Sequence, residues 1–124
     1  MSPEAARAAA QEWIEAWNAH DLERILSHYA DPLEFTSPLV VQRLGRADGT
    51  IRSREELRDY FAVGVGAGSP LHFDLLEAIP GVDSIALRYR NHRGQIVIEV
   101  MRLNAQGQAD RVAVHYSTVA SPSP

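Results

Sequence analysis

The hydrophobic pattern changes period part-way along the chain, and that change limits the folds open to it. Up to about residue 65 apolar side chains recur at three- and four-residue steps, whereas from Leu71 onward they alternate in short runs broken by turn signals. The first regime builds helices with one buried face, and the second builds an antiparallel meander. Helices followed by strands predict an α+β fold, with three amphipathic helices covering one face of a curved antiparallel sheet. A chain of 124 residues has material for one core and not two, so a single site is expected.

Ala6, Ala10, Trp13, Ile14 and Trp17 mark the buried face of a first helix from about Pro3 to Asn18, anchored by two indoles. Asp21 caps a second helix, with Leu22, Ile25, Leu26 and Tyr29 as its stripe, that should stop near Asp31-Pro32. A short strand is predicted at residues 34–37. The segment 39–52 contains Asp48-Gly49, a tight-turn dipeptide, and reads as an exposed hairpin or flap. Ser53 and Glu56 have the spacing of a capping box that starts a third helix over 54–65. The tract Gly64 to Pro70 ends it; a phosphate cradle would need a Lys-Ser/Thr or Gly-x-Gly-x-x-Gly pattern that this tract lacks. Strands are predicted over 71–79, 84–90, 95–103 and 108–118, the last three joined by turns at 91–94 and 104–107. The domain is expected to span residues 1–120, with 121–124 as a loose tail.

Composition closes several functional classes. With 45% hydrophobic and 23% charged residues the chain is of ordinary globular type. No run is long enough to cross a bilayer, and the first ten residues carry Glu4 and Arg7 without the order of a secretory signal, so a cytoplasmic location is expected. The lack of cysteine removes disulfides and thiolate chemistry. The five histidines form no His-x-His or His-x-x-x-His pair, so neither a metal nor another cofactor is expected. A net charge of −4 and the absence of a basic run argue against a nucleic-acid partner. All twelve basic residues are arginine, which reads as compositional bias.

Several strings, taken in order, resemble the nuclear-transport-factor-2-like superfamily. They are Trp13-Ile14-Glu15, Asp21-Leu22-Glu23, His28-Tyr29-Ala30-Asp31, Ser37-Pro38, Gly64-Val65-Gly66-Ala67-Gly68, and Ile98-Glu99-Val100-Met101-Arg102-Leu103 through Gly107 to His115-Tyr116. Within the superfamily the chain looks nearest to ketosteroid isomerase and the SnoaL-like polyketide cyclases. The resemblance implies a cone-shaped roll on a curved mixed or antiparallel sheet, with helices closing over its concave face and a pocket at one end. Ketosteroid isomerase uses a carboxylate base with an oxyanion hole made of a tyrosine and a protonated acid. By position the acid falls on Glu99, the tyrosine on Trp13 and the base on Ser37. Only the acid keeps its chemistry. Serine has no accessible pKa near neutrality with which to carry a proton between carbons, so steroid isomerisation itself is not expected. The Trp13 N–H is still a donor, Tyr29 matches a tyrosine that supports the family's oxyanion hole, and Phe61 stands at the other supporting position.

The direction of Glu99 then matters most. Strand alternation puts it on one face with Val97 and Met101. If both turns are of even length, pairing adds Ala86, Arg88 and Arg90 from one neighbour and Val112, Val114 and Tyr116 from the other. Ile85, Leu87, Tyr89, Ile96, Ile98, Val100 and His115 then share the opposite face. Periodicity alone makes the Glu99 face the solvated one, with Arg88 or Arg90 as ion-pair partner. The resemblance turns it inward and leaves an apolar outer face, which implies a homodimer through that face. An inward Glu99 is either a neutral acid raised by desolvation or one half of an Arg88–Glu99 pair.

The expected function is binding of a small apolar molecule, with isomerase, cyclase or dehydratase chemistry on a carbonyl compound. Glu99 is the candidate catalytic residue; Trp13, Trp17, Tyr29, Ser37, Phe61, Arg88, Met101, Val112, Val114 and Tyr116 are the candidate ligand contacts. The alternative is a non-catalytic ligand-binding or dimerisation domain of the same fold. Other candidates carry less. His72 and Asp74 read as solvated, His20 and His28 as structural or exposed, and Ser37 lacks the Gly-x-Ser-x-Gly setting of a nucleophile. Arg88-Tyr89-Arg90 does not supply the Arg-x-Asp pair of an epoxide-hydrolase relative.

Overall fold

The computed structural model describes residues 1–118; the proposed tail at 121–124 and the end of the proposed domain at 120 lie outside the described residues. Helix α1 spans Pro3–Asn18 and α2 Leu22–Leu26; strand β1 follows at Tyr29–Thr36, α3 at Pro38–Leu44, β2 at Thr50–Ile51 and α4 at Arg54–Gly64. Strands β3 Asp74–Pro80, β4 Ser84–Arg90, β5 Ile96–Leu103 and β6 Ala109–Tyr116 complete the chain. The sheet has the order β2-β1-β6-β5-β4-β3. It is mixed rather than wholly antiparallel, because β1 runs parallel to β6. No helix among the described residues is long and apolar enough to cross a membrane.

Each helix begins on a side chain that satisfies an orphan backbone N–H. Ser2 Oγ accepts from Ala5, Asp21 Oδ1 from Arg24, Ser37 Oγ from Leu39 and Ser53 Oγ from Glu56, at 3.0, 3.2, 3.2 and 3.2 Å. The return half of the expected capping box is not made, because both Glu56 carboxylate oxygens are held by Arg46. That pair ties the approach to β2 onto α4.

Two readings of the first half of the chain are corrected. Tyr29 does not extend the second helix: α2 ends at Leu26, and Tyr29 opens β1, which passes through the cis Asp31-Pro32 bond. Its helical spacing from Ile25 is coincidental, since Tyr29 is buried by the sheet instead. The segment 39–52 is not a hairpin flap but a fourth helix, α3, followed by the short strand β2. Pro38 stands at its first turn and Gly45 closes it in the left-handed conformation, φ 67°. The Asp48-Gly49 turn returns the chain to β1. Gly49 is required there: its φ is 61°, and an added Cβ would lie 3.0 Å from the Ser37 carbonyl oxygen.

The hairpins decide which residues face the core. Arg90 pairs with Ile96, so the β4–β5 loop is the five residues Asn91 to Gln95, and the register is even throughout, with Leu87 opposite Glu99. Ile85, Leu87 and Tyr89 therefore share the Glu99 face, and Ala86, Arg88 and Arg90 lie on the other side. The β5–β6 loop is built the same way from Asn104 to Gln108, with Leu103 opposite Ala109, but a bulge after Arg102 shifts the register and brings Val112, Val114 and Tyr116 onto the Glu99 face as expected. Both loops use the same device: Asn91 and Asn104 accept from the N–H groups two and four residues on, and Gly94 and Gly107 take φ of 78° and 77°.

Helix α1 packs against β3, α2 against α1 and α4, and α4 against β1. Between helices and sheet lies an aromatic core. Trp17 meets Phe61 edge-on at 4.7 Å, Phe73 meets Tyr89 at 4.5 Å, and Trp13 lies 5.5 Å from Tyr89.

Candidate functional site

The core is incomplete on one side. A cavity of about 470 Å³ runs between the concave sheet face and the helices, within the range of a small-ligand site. Trp17 of α1, Tyr29 and Phe35 of β1, Tyr60 and Phe61 of α4, and Val114 and Tyr116 of β6 form its walls. Ser37, Leu39 and Arg43 border it from α3 and its cap, and the glycine tract after α4 and the Asn91–Gln95 loop complete the rim. That rim is pinned: Asn18 exchanges two hydrogen bonds with the Phe73 backbone, at 2.9 and 2.8 Å, and His20 Nε2 lies 2.8 Å from the Leu71 carbonyl oxygen. His20 is structural, as expected.

Glu99 reaches this cavity from β5 and is 4% exposed. The Tyr89 hydroxyl donates to its Oε2 in a short hydrogen bond, while Oε1 is buried without a partner among the described residues. Burial raises the carboxyl pKa to about 7, against the lowering effect of Tyr89. Burial also raises Tyr89 and Tyr29 well above the ordinary tyrosine value, and the nearby Glu99 charge adds to both. The Trp13 N–H donates to the Tyr29 hydroxyl oxygen at 3.0 Å, leaving the Tyr29 proton for donation. The Trp17 N–H is near enough to act on Tyr29 but closes no hydrogen bond among the described residues.

Of the contacts expected from the sequence, Trp17, Tyr29, Ser37, Phe61, Val114 and Tyr116 line the cavity with Glu99. Trp13, Met101 and Val112 do not. Trp13 spends its N–H on Tyr29 and stands behind the wall; Met101 shares with it a separate void of about 40 Å³, and Val112 is core. Arg88 is on the outer sheet face, where Glu77 accepts from its Nε at 3.2 Å. An Arg88–Glu99 pair is therefore excluded, and Tyr89 takes the place beside the acid. His72 and Asp74 bond each other at 3.0 Å in the open, as expected of a solvated pair.

Sequence reasoning missed Tyr89, Tyr60, Phe35, Phe73 and Arg43. Counting Asn91 to Gln95 as a five-residue turn would have turned Tyr89 inward, and the Ser-Pro start and glycine stop of α3 would have placed Arg43 on a helix beside the site. Ser37, at the position of the family's base, is held by its backbone N–H to Gly49 O at 3.0 Å and by its side chain to Leu39 N. Its hydroxyl is a helix cap that also borders the cavity.

Fold and site together define a curved-sheet pocket protein with one buried acid in its wall. The SnoaL-like domain family model matches residues 10–120, and the chain belongs to that family. It is similar to a SnoaL-like protein of unknown function from Burkholderia thailandensis E264, with 36% identity, coverage of 95% of this chain and 99% of that one, and a TM-score of 0.89. An NTF2-like protein of unknown function from Cytophaga hutchinsonii shares the fold at 12% identity, coverage of 90% and 89%, and a TM-score of 0.70. Another from Burkholderia xenovorans shares it at 17% identity, coverage of 96% and 88%, and a TM-score of 0.70. No curated protein matches the chain.

Proposed function

We propose that this protein catalyses proton transfer on a small, largely apolar carbonyl compound, in a reaction of the isomerase, cyclase or dehydratase kind, with Glu99 taking and returning the proton. The observation that carries the proposal is the Glu99 carboxyl: buried at the cavity wall, one oxygen held by Tyr89, the other without a partner among the described residues, with a pKa of about 7. An acid–base group works best when its pKa lies near the working pH. An α-proton set against Oε1 passes to the carboxylate, and the C–H electron pair moves into an enolate whose charge lies on the carbonyl oxygen. The free Tyr29 proton supports that oxygen. Steroid isomerisation is not part of the proposal, because Ser37 stands where a second carboxylate is needed.

The test is exchange of the α-protons of butyrophenone in deuterated buffer, followed by NMR. Wild type should exchange them at least about 10²-fold faster than Glu99→Gln, the scale of general acid–base catalysis. A second reading, ligand binding without turnover, is favoured by one observation: among the described residues Glu99 is the only carboxylate bordering the cavity. Saturable binding of butyrophenone with no exchange above buffer would establish that reading and remove the first.

The proposal includes a homodimer through the outer sheet face. Val100 lies between Ala86 and Ala113, and Ile98 and Val100 are each 40% exposed. Two of the charges on that face are neutralised within the chain, Arg88 by Glu77 and Arg102 by Asp110, which leaves Arg90 at the end of β4 as an exposed cation for the partner to accommodate. Sedimentation at micromolar concentration checks it: a dimer that Ile98→Asp dissociates supports the face, and a wild-type monomer removes it.

A further inference from the structure

Resting on the proton-transfer reading above, we propose that the ligand carries an acidic group as well as a carbonyl, and that Arg43 and Arg93 hold that group at the cavity mouth. Arg43 projects from α3 and Arg93 from the β4–β5 loop, and both border the cavity whose inner wall holds Glu99. Both arginines are exposed while Glu99 is buried, so the cavity runs from a cationic rim to a buried acid.

Among the described residues Arg7, Arg43, Arg54, Arg90 and Arg93 are in no ion pair with a carboxylate, and of these Arg43 and Arg93 are the ones that border the cavity. Seven of the twelve arginines are in ion pairs with carboxylates. No carboxylate among the described residues pairs with Arg43 or Arg93. The Arg43 guanidinium lies instead over the Tyr60 ring, its Cζ 5.7 Å from the centroid, and it carries more N–H donors than this one neighbour can use. Arg93 is presented by a fixed turn: Asn91 Oδ1 accepts from the backbone N–H of Arg93 at 3.0 Å and of Gln95 at 2.9 Å. His92 borders the cavity beside it and adds a ring nitrogen.

Charge placement fixes how such a ligand enters. The chain carries a net −4, yet its cavity mouth presents two unneutralised guanidiniums, and a cleft with low-dielectric walls focuses that field. An anionic group beside Glu99 would meet desolvation and repulsion; at the rim it meets planar donors that suit a carboxylate. The ligand therefore enters carbonyl first, with its acid outward, and a cavity of about 470 Å³ accommodates an aryl ketone on a short acid chain.

Two compounds differing in that one group test the inference: 3-benzoylpropionate, an aryl ketone with a carboxylate, and butyrophenone, the same ketone without it. Binding of each is measured by NMR titration to wild type, Arg43→Gln, Arg93→Gln, the double variant, and Arg7→Gln on the exposed side of α1 as control. Wild type should bind the keto acid about tenfold more tightly than the ketone, and added salt should narrow the gap. The double variant should lose the preference while still binding butyrophenone, and Arg7→Gln should keep it. Equal binding of the two compounds by wild type overturns the acid subsite and leaves the carbonyl pocket standing. A preference that survives the double variant, or that Arg7→Gln abolishes equally, overturns the assignment to these arginines. Binding of neither compound overturns the pocket reading and this inference together.

Discussion

The Tyr89 hydroxyl donates to Glu99 Oε2 from the neighbouring strand, although Tyr89 is opposite Val97 and not Glu99 in the register. The diagonal reach lets one aromatic side chain orient the acid through Oε2 while Oε1 has no hydrogen-bond partner among the described residues. Because this hydrogen bond favours the ionised form, it holds the Glu99 pKa below the value that burial alone would set. In Tyr89→Phe the pKa should therefore rise above about 7, and the acidic limb of the exchange rate should move to higher pH. Activity lost at pH 7 should return at alkaline pH. A pH–rate profile checks this, and an unmoved limb would separate Tyr89 from the titration of Glu99.

Glu99 also makes stability depend on pH. Its pKa rises from 4.5 to about 7 in the folded protein, so the folded state holds the proton where the unfolded chain has released it. Stability from this group is complete below pH 4.5, declines as the pH climbs through about 7, and levels off above. The span corresponds to about 3 kcal/mol. Glu99→Gln has no proton to release. Urea unfolding of both proteins at pH 5 and pH 8 should show wild type losing about 3 kcal/mol relative to the variant; a constant difference would mean that the carboxyl is ionised throughout.

Periodicity made the faces of each strand legible but not which face points inward, because that depends on turn length. On the β5–β6 side, the expectation of an even turn was offset by the bulge after Arg102, and Val112, Val114 and Tyr116 landed correctly. On the β4–β5 side no bulge intervenes, so the same expectation inverted β4 and exchanged Arg88 for Tyr89. A bulge carries no clear sequence signature here. Helix α3 was different: Ser37, Pro38 and Gly45 are its start and stop signals, obscured by the Asp48-Gly49 dipeptide that follows. Tyr29 fitted the spacing of α2, and only pairing between β1 and β6, a long-range contact, moved it to a strand.

Trp13 and Tyr29 should behave as one unit. The indole N–H and the phenol oxygen satisfy each other in a fully buried setting, with Trp13 2% exposed and Tyr29 0%. Tyr29→Phe leaves the Trp13 N–H without an acceptor, at a cost of about 1–3 kcal/mol, and removes the donor proposed for the carbonyl oxygen. Trp13→Phe removes the donor to Tyr29 and also leaves space. In a double-mutant cycle by urea unfolding, the two losses should fall short of additivity by about 1 kcal/mol. Strict additivity would mean that the hydrogen bond contributes nothing to stability.

Ser37 offers the sharpest contrast between a residue that shapes the site and one that reacts in it. Its hydroxyl caps α3 through Leu39, and α3 carries Leu39 and Arg43 to the cavity. Ser37→Ala should therefore cost about 1 kcal/mol of stability, the usual loss of an N-cap. The pH profile of proton exchange should keep its midpoint near the Glu99 pKa of about 7, with a modest loss of amplitude as α3 loosens. Ser37→Asn, which can cap the helix but offers no hydroxyl, should restore most of the stability and most of the rate. If instead Ser37→Ala abolishes exchange while unfolding at the wild-type urea midpoint, the hydroxyl takes part in the chemistry and Glu99 is not the only group that moves the proton.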